Sequence, residues 1–226
     1  MQRLSINDLW TVRQDEYWRR AEEYYWSFVK PANLNVEKEF DALDVACVKA
    51  MDSSGWYEFL LRKYFRWKYT APNRYASTTK QLRKYAESSS LDELDKIREG
   101  LFTLDLRDAR ASLVFASSIK GLGTAGASGL LAVLFPREFG TVDQFAVKAL
   151  SQIENLPEGS QVRRMNPENL SIKNAVVLID IMRAKASENN REFATNYWTP
   201  RKIDKILWTY GRRNRAETSE TCASKV

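Results

Sequence analysis

The chain has 226 residues, enough for one or two small domains with a sizeable core. Its 35 Lys and Arg against 29 Asp and Glu give a formal charge of +6, which suits a polyanionic partner. It has no histidine, so acid–base work falls to carboxylates, lysine, tyrosine or cysteine. Its two cysteines, Cys47 and Cys222, exclude a four-cysteine zinc or iron–sulfur site within the chain.

In chain order, the apolar spacing predicts a helix over 7–28, with Leu9, Val12, Trp18, Ala21, Tyr25 and Phe28 on one side. Pro31 ends it. A second helix is predicted over 36–51, with Cys47 as a small core residue in its stripe, and Gly55 breaks it. A third runs over 56–69. From Phe59 through Ala86 there is no Asp or Glu, while Arg62, Lys63, Arg66, Lys68, Arg74, Lys80, Arg83 and Lys84 alternate with Tyr64, Phe65, Trp67, Tyr69, Tyr75 and Tyr85. For single residues this reads as a solvated face whose aromatics point inward. For the cluster it reads as a nucleic-acid surface, with Arg62, Arg66, Lys68 and Arg74 as candidate contacts.

Asn73 or Ser77 is expected to cap the helix that reaches Tyr85. Ser90 and Glu93 form a capping box for the helix over 91–100. Leu106, Ala109, Leu113 and Ala116 then mark a helix that runs into Gly121-Leu122-Gly123. The next helix covers 124–134 and stops at Pro136. Phe139-Gly140 leads to another, over 141–153, with Asp143 in its first turn. A polar connection, 155–167, precedes a long helix opened by Asn166 or Pro167. The last helix, 200–213, carries Ile203, Ile206, Leu207 and Tyr210 inward and Arg201, Lys202, Lys205, Arg212 and Arg213 outward. A disordered tail is expected over 214–226. No strand, repeat, signal peptide or membrane span is predicted. The chain is expected to be soluble and intracellular, in the cytoplasm or nucleoid.

A Gly-x-Gly turn before a helix bares backbone N–H groups that can hold a phosphate. Gly121-Leu122-Gly123-Thr124-Ala125-Gly126 literally fits the dinucleotide fingerprint, and Asp143 lies about 20 residues on. That fingerprint needs a preceding strand, whereas the stripe before Gly121 is helical, so the dinucleotide reading is set aside.

The stretch resembles the helix–hairpin–helix DNA glycosylase superfamily. The residues that carry the resemblance are the Gly121-Leu122-Gly123 hairpin, small Ala127 in the next turn, and Val142-Asp143 about 18 residues after the hairpin's functional position. It covers residues 106–150. The resemblance implies an all-α, two-lobed fold, with a hairpin lobe over 56–154 and a second lobe from 1–55 and 155–213. It implies double-stranded DNA as partner, bound through Lys120, Gly121, Leu122, Gly123, Thr124 and Ala125. It also implies Asp143 as catalytic carboxylate and no cofactor beyond a monovalent cation on the hairpin carbonyls. Members that also cut the strand carry a lysine two residues after the second hairpin glycine; here that residue is Ala125. The expectation is a monofunctional glycosylase, with a non-catalytic DNA-binding relative as the alternative. Trp10, Trp56, Trp67 and Trp198 are candidates to line its pocket.

Overall fold

The computed structural model describes the backbone of residues 4–223 and the side chains through residue 212. Among the described residues every regular element is helical, as expected. None of these helices is long and apolar enough to cross a membrane.

Helix α1, Ile6–Thr11, starts at Ser5, whose hydroxyl accepts the Asp8 N–H at 3.1 Å. Helix α2 is Asp15–Phe28. The single helix expected over 7–28 is thus two. Val12 and Gln14 are extended, and the Trp18 indole holds the corner by donating to the Val12 carbonyl at 3.2 Å.

The helix expected over 36–51 is also divided. Helix α3 is Pro31–Asp41 and α4 is Val45–Lys49; α5, Ser53–Glu58, follows the expected break and holds Gly55 inside it. Asp44 and Asp52 accept the N–H groups of Ala46 (2.9 Å) and Gly55 (2.7 Å), so each starts a new helix. Cys47 is exposed rather than in the core. Helix α4 has five residues and turns only Val48 fully inward.

A π-helical turn, Phe59–Tyr64, joins α5 to α6, Phe65–Lys68, where one regular helix was expected. Helix α7, Pro72–Glu87, begins on its proline, and Ala71 ahead of it gives no side-chain cap; Asn73 and Ser77 lie inside the helix. Helix α8 is Leu91–Leu101. Its capping box does not form, because the Ser90 hydroxyl lies against Ser88 Oγ (2.6 Å) and the Tyr85 carbonyl (3.4 Å) instead.

Helix α9, Ala109–Ala116, is capped by Asp108, and α10 is Thr124–Leu134. Helix α11, Gln144–Leu150, is followed by the short α12, Gly159–Arg163, within the expected polar connection. Helix α13, Ile172–Glu192, starts later than expected because Ser171, not Asn166, caps it. Helix α14, Pro200–Ala223, continues past the expected end near Arg213. Of the tail over 214–226, only the α14 backbone is described, so Arg213 and Cys222 lie outside the described side chains.

Helix α10 is the core element: every residue from Gly126 to Leu134 is buried. Helices α9, α13 and α14 pack around it, and α14 also crosses α2 and α11. The basic side of α14 does not face water as expected. Arg201, Lys202 and Lys205 meet Glu37, Glu22 and Asp41 on α2 and α3, and Lys205 is 2% exposed. Acidic partners on α2 and α3 turn this stripe into an interior ion-pair seam, with the lysine and arginine stems covering apolar surface.

Candidate active site

The segment Phe139 to Asp143 is fixed from two sides. Ser128, fully buried on α10, accepts the Val142 N–H at 3.0 Å and donates to the Ala125 carbonyl at 3.1 Å. From α14, Asp204 Oδ2 accepts the Thr141 N–H at 2.8 Å. Gly140 lets the chain pass, since a Cβ there would meet the Pro200 carbonyl at 2.7 Å. Each anchor satisfies a buried polar group that would otherwise carry a desolvation penalty.

Asp143 emerges from this clamp as the N-cap of α11. Its Oδ1 accepts the N–H groups of Phe145 (2.8 Å) and Ala146 (3.0 Å). Both bonds fall on one oxygen, which leaves Oδ2 without a hydrogen-bond donor among the described residues. Burial pushes the Asp143 carboxyl above the usual carboxylate range. The positive charge of Lys68 and the α11 N–H groups pull it back.

Asp143 borders a cleft of about 640 Å³, open to solvent at one side. That volume falls in the range of roughly 300–1,000 Å³ found for ligand pockets. Tyr25, Trp67, Phe145 and Trp208 supply its aromatic walls. Trp208 meets Tyr25 and Phe145 edge-on, at centroid distances of 5.4 and 6.0 Å. Behind them lies a buried polar network. Arg201 donates to Glu37 (2.8 Å), Asp204 (2.7 Å) and the Thr141 hydroxyl (3.2 Å), and the Trp67 indole also donates to Glu37. Burial alone would lower the Arg201 pKa, but the two carboxylates outweigh it, so the guanidinium stays charged. Tyr25 stays protonated, its pKa raised by burial.

Lys68 ends α6 inside the same cleft. Burial lowers its pKa, against the opposing pull of Asp143 and Asp204. This lysine, put forward as a DNA contact, lines the cleft together with Asp143.

The hairpin joins α9 to α10. Gly121 has φ +97°, and a Cβ there would meet the Thr78 carbonyl oxygen at 2.5 Å, so the position requires glycine. Leu122 is buried beneath the turn. Gly123 is exposed, has open space where a Cβ would stand, and provides no side-chain cap for α10. The first N–H groups of α10, an 11-residue helix, receive no side-chain cap from Gly123, and Thr124 and Ala125 are half-buried. Ile119 accepts from the Leu122 N–H (2.9 Å), and Gly121 from the Tyr69 hydroxyl (3.1 Å). A monovalent cation would fit here only as a second contact on carbonyls already engaged.

Not every expected contact gathers at the turn. Arg74 is exposed and close enough to Tyr69 to act on its hydroxyl, which places it on the hairpin's side. Lys120 is occupied, ion-paired with Glu93 (3.2 Å) and seated over the Tyr85 ring (4.0 Å). Arg62 and Arg66 are exposed, and Arg62 pairs with Glu58 one turn earlier. Tyr64, Phe65 and Tyr85 of the basic–aromatic segment are core residues, not a stacking surface. Of the four tryptophans put forward, only Trp67 lines the cleft; Trp56 and Trp198 are buried elsewhere, and Trp10 packs on Trp18.

Ser128, Glu37 and Asp204 were not singled out from sequence, and Arg201 and Tyr25 were read only as parts of helix faces, not as cleft residues. The one available signal was the pair Arg201 and Asp204, opposite charges three residues apart at a helix start. No family model, curated protein or solved structure matches the chain.

Proposed function

We propose that the protein is a helix–hairpin–helix DNA glycosylase, of the two-lobed fold its sequence resembles, that removes a modified or mismatched base from double-stranded DNA by hydrolysis. The observation that carries this reading is Asp143: its carboxylate borders an open, aromatic-walled cleft and, among the described residues, keeps one oxygen free of hydrogen bonds.

Breaking the bond between sugar and base builds positive charge on the sugar ring. An ionised carboxylate facing that ring stabilises the charge and can accept a proton from the attacking water. The α11 N–H groups and Lys68 oppose the burial that would otherwise neutralise Asp143. The target nucleotide must leave the stack, at a cost of a few kcal/mol. Aromatic walls at Tyr25, Trp67, Phe145 and Trp208 offset that cost by taking up the extruded base. The uncapped start of α10 at Gly123, together with Arg74, would hold a backbone phosphate and position the duplex without reading its sequence. The position two residues after the second hairpin glycine offers no amine, since residue 125 is alanine.

A second reading is a non-catalytic DNA-binding protein. The Arg201 network favours it, because Arg201, Glu37 and Asp204 are committed to one another. Duplexes carrying single deaminated, oxidised or alkylated bases separate the two, with free base followed by mass spectrometry. Release of one or more of these bases supports the glycosylase. Salt-sensitive binding with no free base from any duplex supports the second reading.

A further inference from the structure

We propose that Lys68 is a specificity-determining residue of this cleft: its amine donates to a carbonyl oxygen on the extruded base, so that the enzyme takes bases in which deamination has replaced an exocyclic amine by a carbonyl. The inference rests on the base-excision reading and names a substrate class for it.

The fold brings an unpartnered amine to the core side of the cleft. Lys68 closes α6, the helix that follows the π-helical turn Phe59–Tyr64. Gly129 on α10 makes room for it: a Cβ there would meet Lys68 Cδ and Nζ, each at 3.2 Å. The amine therefore lies against the buried core helix. Its side chain lines the cleft beside the Trp67 wall, with Nζ 5.9 Å from that ring's centroid. Among the described residues, no group takes this ammonium in a hydrogen bond.

The acids around it are committed elsewhere. Arg201 holds Glu37 (2.8 Å) and Asp204 (2.7 Å), and Asp143 turns Oδ1 to the α11 N–H groups. Burial lowers the Lys68 pKa, while Asp143, Asp204 and Glu37 favour its charged form from a distance. Enclosed lysines outside the cleft have acceptors: Lys205 meets Asp41, and Lys185 meets Glu188 (2.7 Å) and the Trp10 carbonyl (2.9 Å). A half-buried cationic donor without a partner draws an acceptor from whatever fills the cleft.

An ammonium has three donors and no acceptor. Adenine and cytosine present an exocyclic amine, itself a donor, so donor would face donor. Deamination converts them to hypoxanthine and uracil, which place a carbonyl oxygen at the same position and accept. The charge acts on the reaction as well as on binding. The electron pair of the C1′–N bond leaves with the base and spreads onto its carbonyls, where the ammonium stabilises it. Water adds its oxygen to C1′, and its proton ends on the released base. An N-alkylated base that already carries a positive charge gains nothing from this and is repelled by Lys68. Guanine and thymine also carry carbonyls, but in matched pairs they stay in the stack, whereas a deaminated base is mispaired and easier to extrude.

The test is single-turnover base release by the full chain from duplexes that differ in one base. The panel is uracil opposite guanine, hypoxanthine opposite thymine, cytosine and adenine each in a mismatch, and cationic 7-methylguanine. The expected result is release of uracil, hypoxanthine or both about 100-fold or more faster than cytosine, adenine or 7-methylguanine. Lys68→Met, which keeps the stem and removes the donor, should lower release of the deaminated base by about 100-fold while DNA affinity changes by less than about threefold. Lys68→Gln is the sharper variant, because its amide also accepts: the ratio of carbonyl-bearing to amine-bearing base released should fall by about tenfold or more, a change that a merely structural lysine would not produce. Equal release of amine-bearing and carbonyl-bearing bases by wild type, preference for 7-methylguanine, or an unchanged ratio in Lys68→Gln would each overturn the proposal and leave the base-excision reading standing. No free base from any duplex would sink both.

Discussion

Ser128 accepts the Val142 N–H at 3.0 Å, which ties the helix after the hairpin to the residue before Asp143. The turn proposed to hold a phosphate and the carboxylate proposed to face the sugar are therefore set by one short rigid link. Ser128→Ala leaves the buried Val142 N–H without its acceptor, a loss of about 1–3 kcal/mol in stability. The expected kinetic signature is slower base release with nearly unchanged affinity for DNA. Urea unfolding and single-turnover kinetics on the same preparation check both parts.

The two hairpin glycines should behave differently. Gly121→Ala forces a Cβ toward the Thr78 carbonyl in a positive-φ conformation, so it destabilises the fold and weakens DNA binding together. Gly123→Ala meets no neighbouring atom and should cost less than about 1 kcal/mol. If its exposed backbone is the phosphate contact, Gly123→Val lowers DNA affinity while the melting temperature stays close to that of Gly123→Ala. Thermal melts and fluorescence anisotropy at fixed salt separate the two effects.

Arg201 holds the back wall of the cleft. Arg201→Met leaves Glu37 and Asp204, both buried, without their shared cation, and should cost about 3–5 kcal/mol. Replacing all three with apolar residues of similar volume should recover much of that stability but not activity, because Asp204 also fixes the Thr141 N–H. Denaturant titration of the single and triple variants measures the difference.

Two pH effects follow from the cleft. Burial raises the Asp143 pKa, so the acid limb of the base-release profile should fall above the usual carboxylate range. Burial lowers the Lys68 pKa. Between its folded value and the ordinary lysine value, the unfolded chain holds a proton that the folded chain lacks, so stability rises with pH across that window. Below the window the folded state carries the cost of a buried charge. Lys68→Met should therefore stabilise the protein at neutral pH and flatten the alkaline rise. Calorimetry of the two proteins from neutral to alkaline pH provides the comparison.

Much of the helical order was legible because apolar residues recur at three and four, and α10 in particular announces itself by small and aliphatic residues between Gly123 and Pro136. Asp143 at a helix start was legible for the same reason. What escaped was governed by contacts between distant segments. Arg201, Lys202 and Lys205 have the spacing of a solvated face, yet they are interior because Glu37, Glu22 and Asp41 come to meet them. Lys68 looked like one more cation in a basic run. Its entry into the cleft depends on a π turn and on the missing side chain at Gly129, and neither leaves a local signature. The helix break at Asp44 was missed because a side-chain cap competed with an unbroken apolar stripe.

The most direct test is single-turnover base release by Asp143→Asn beside wild type. Asparagine keeps an oxygen that can cap α11, so the fold and DNA affinity should hold, while the charge facing the sugar is gone. The account predicts a fall of about 100-fold or more in the rate of base release with binding unchanged. A rate equal to wild type, on a duplex that wild type processes, would contradict it.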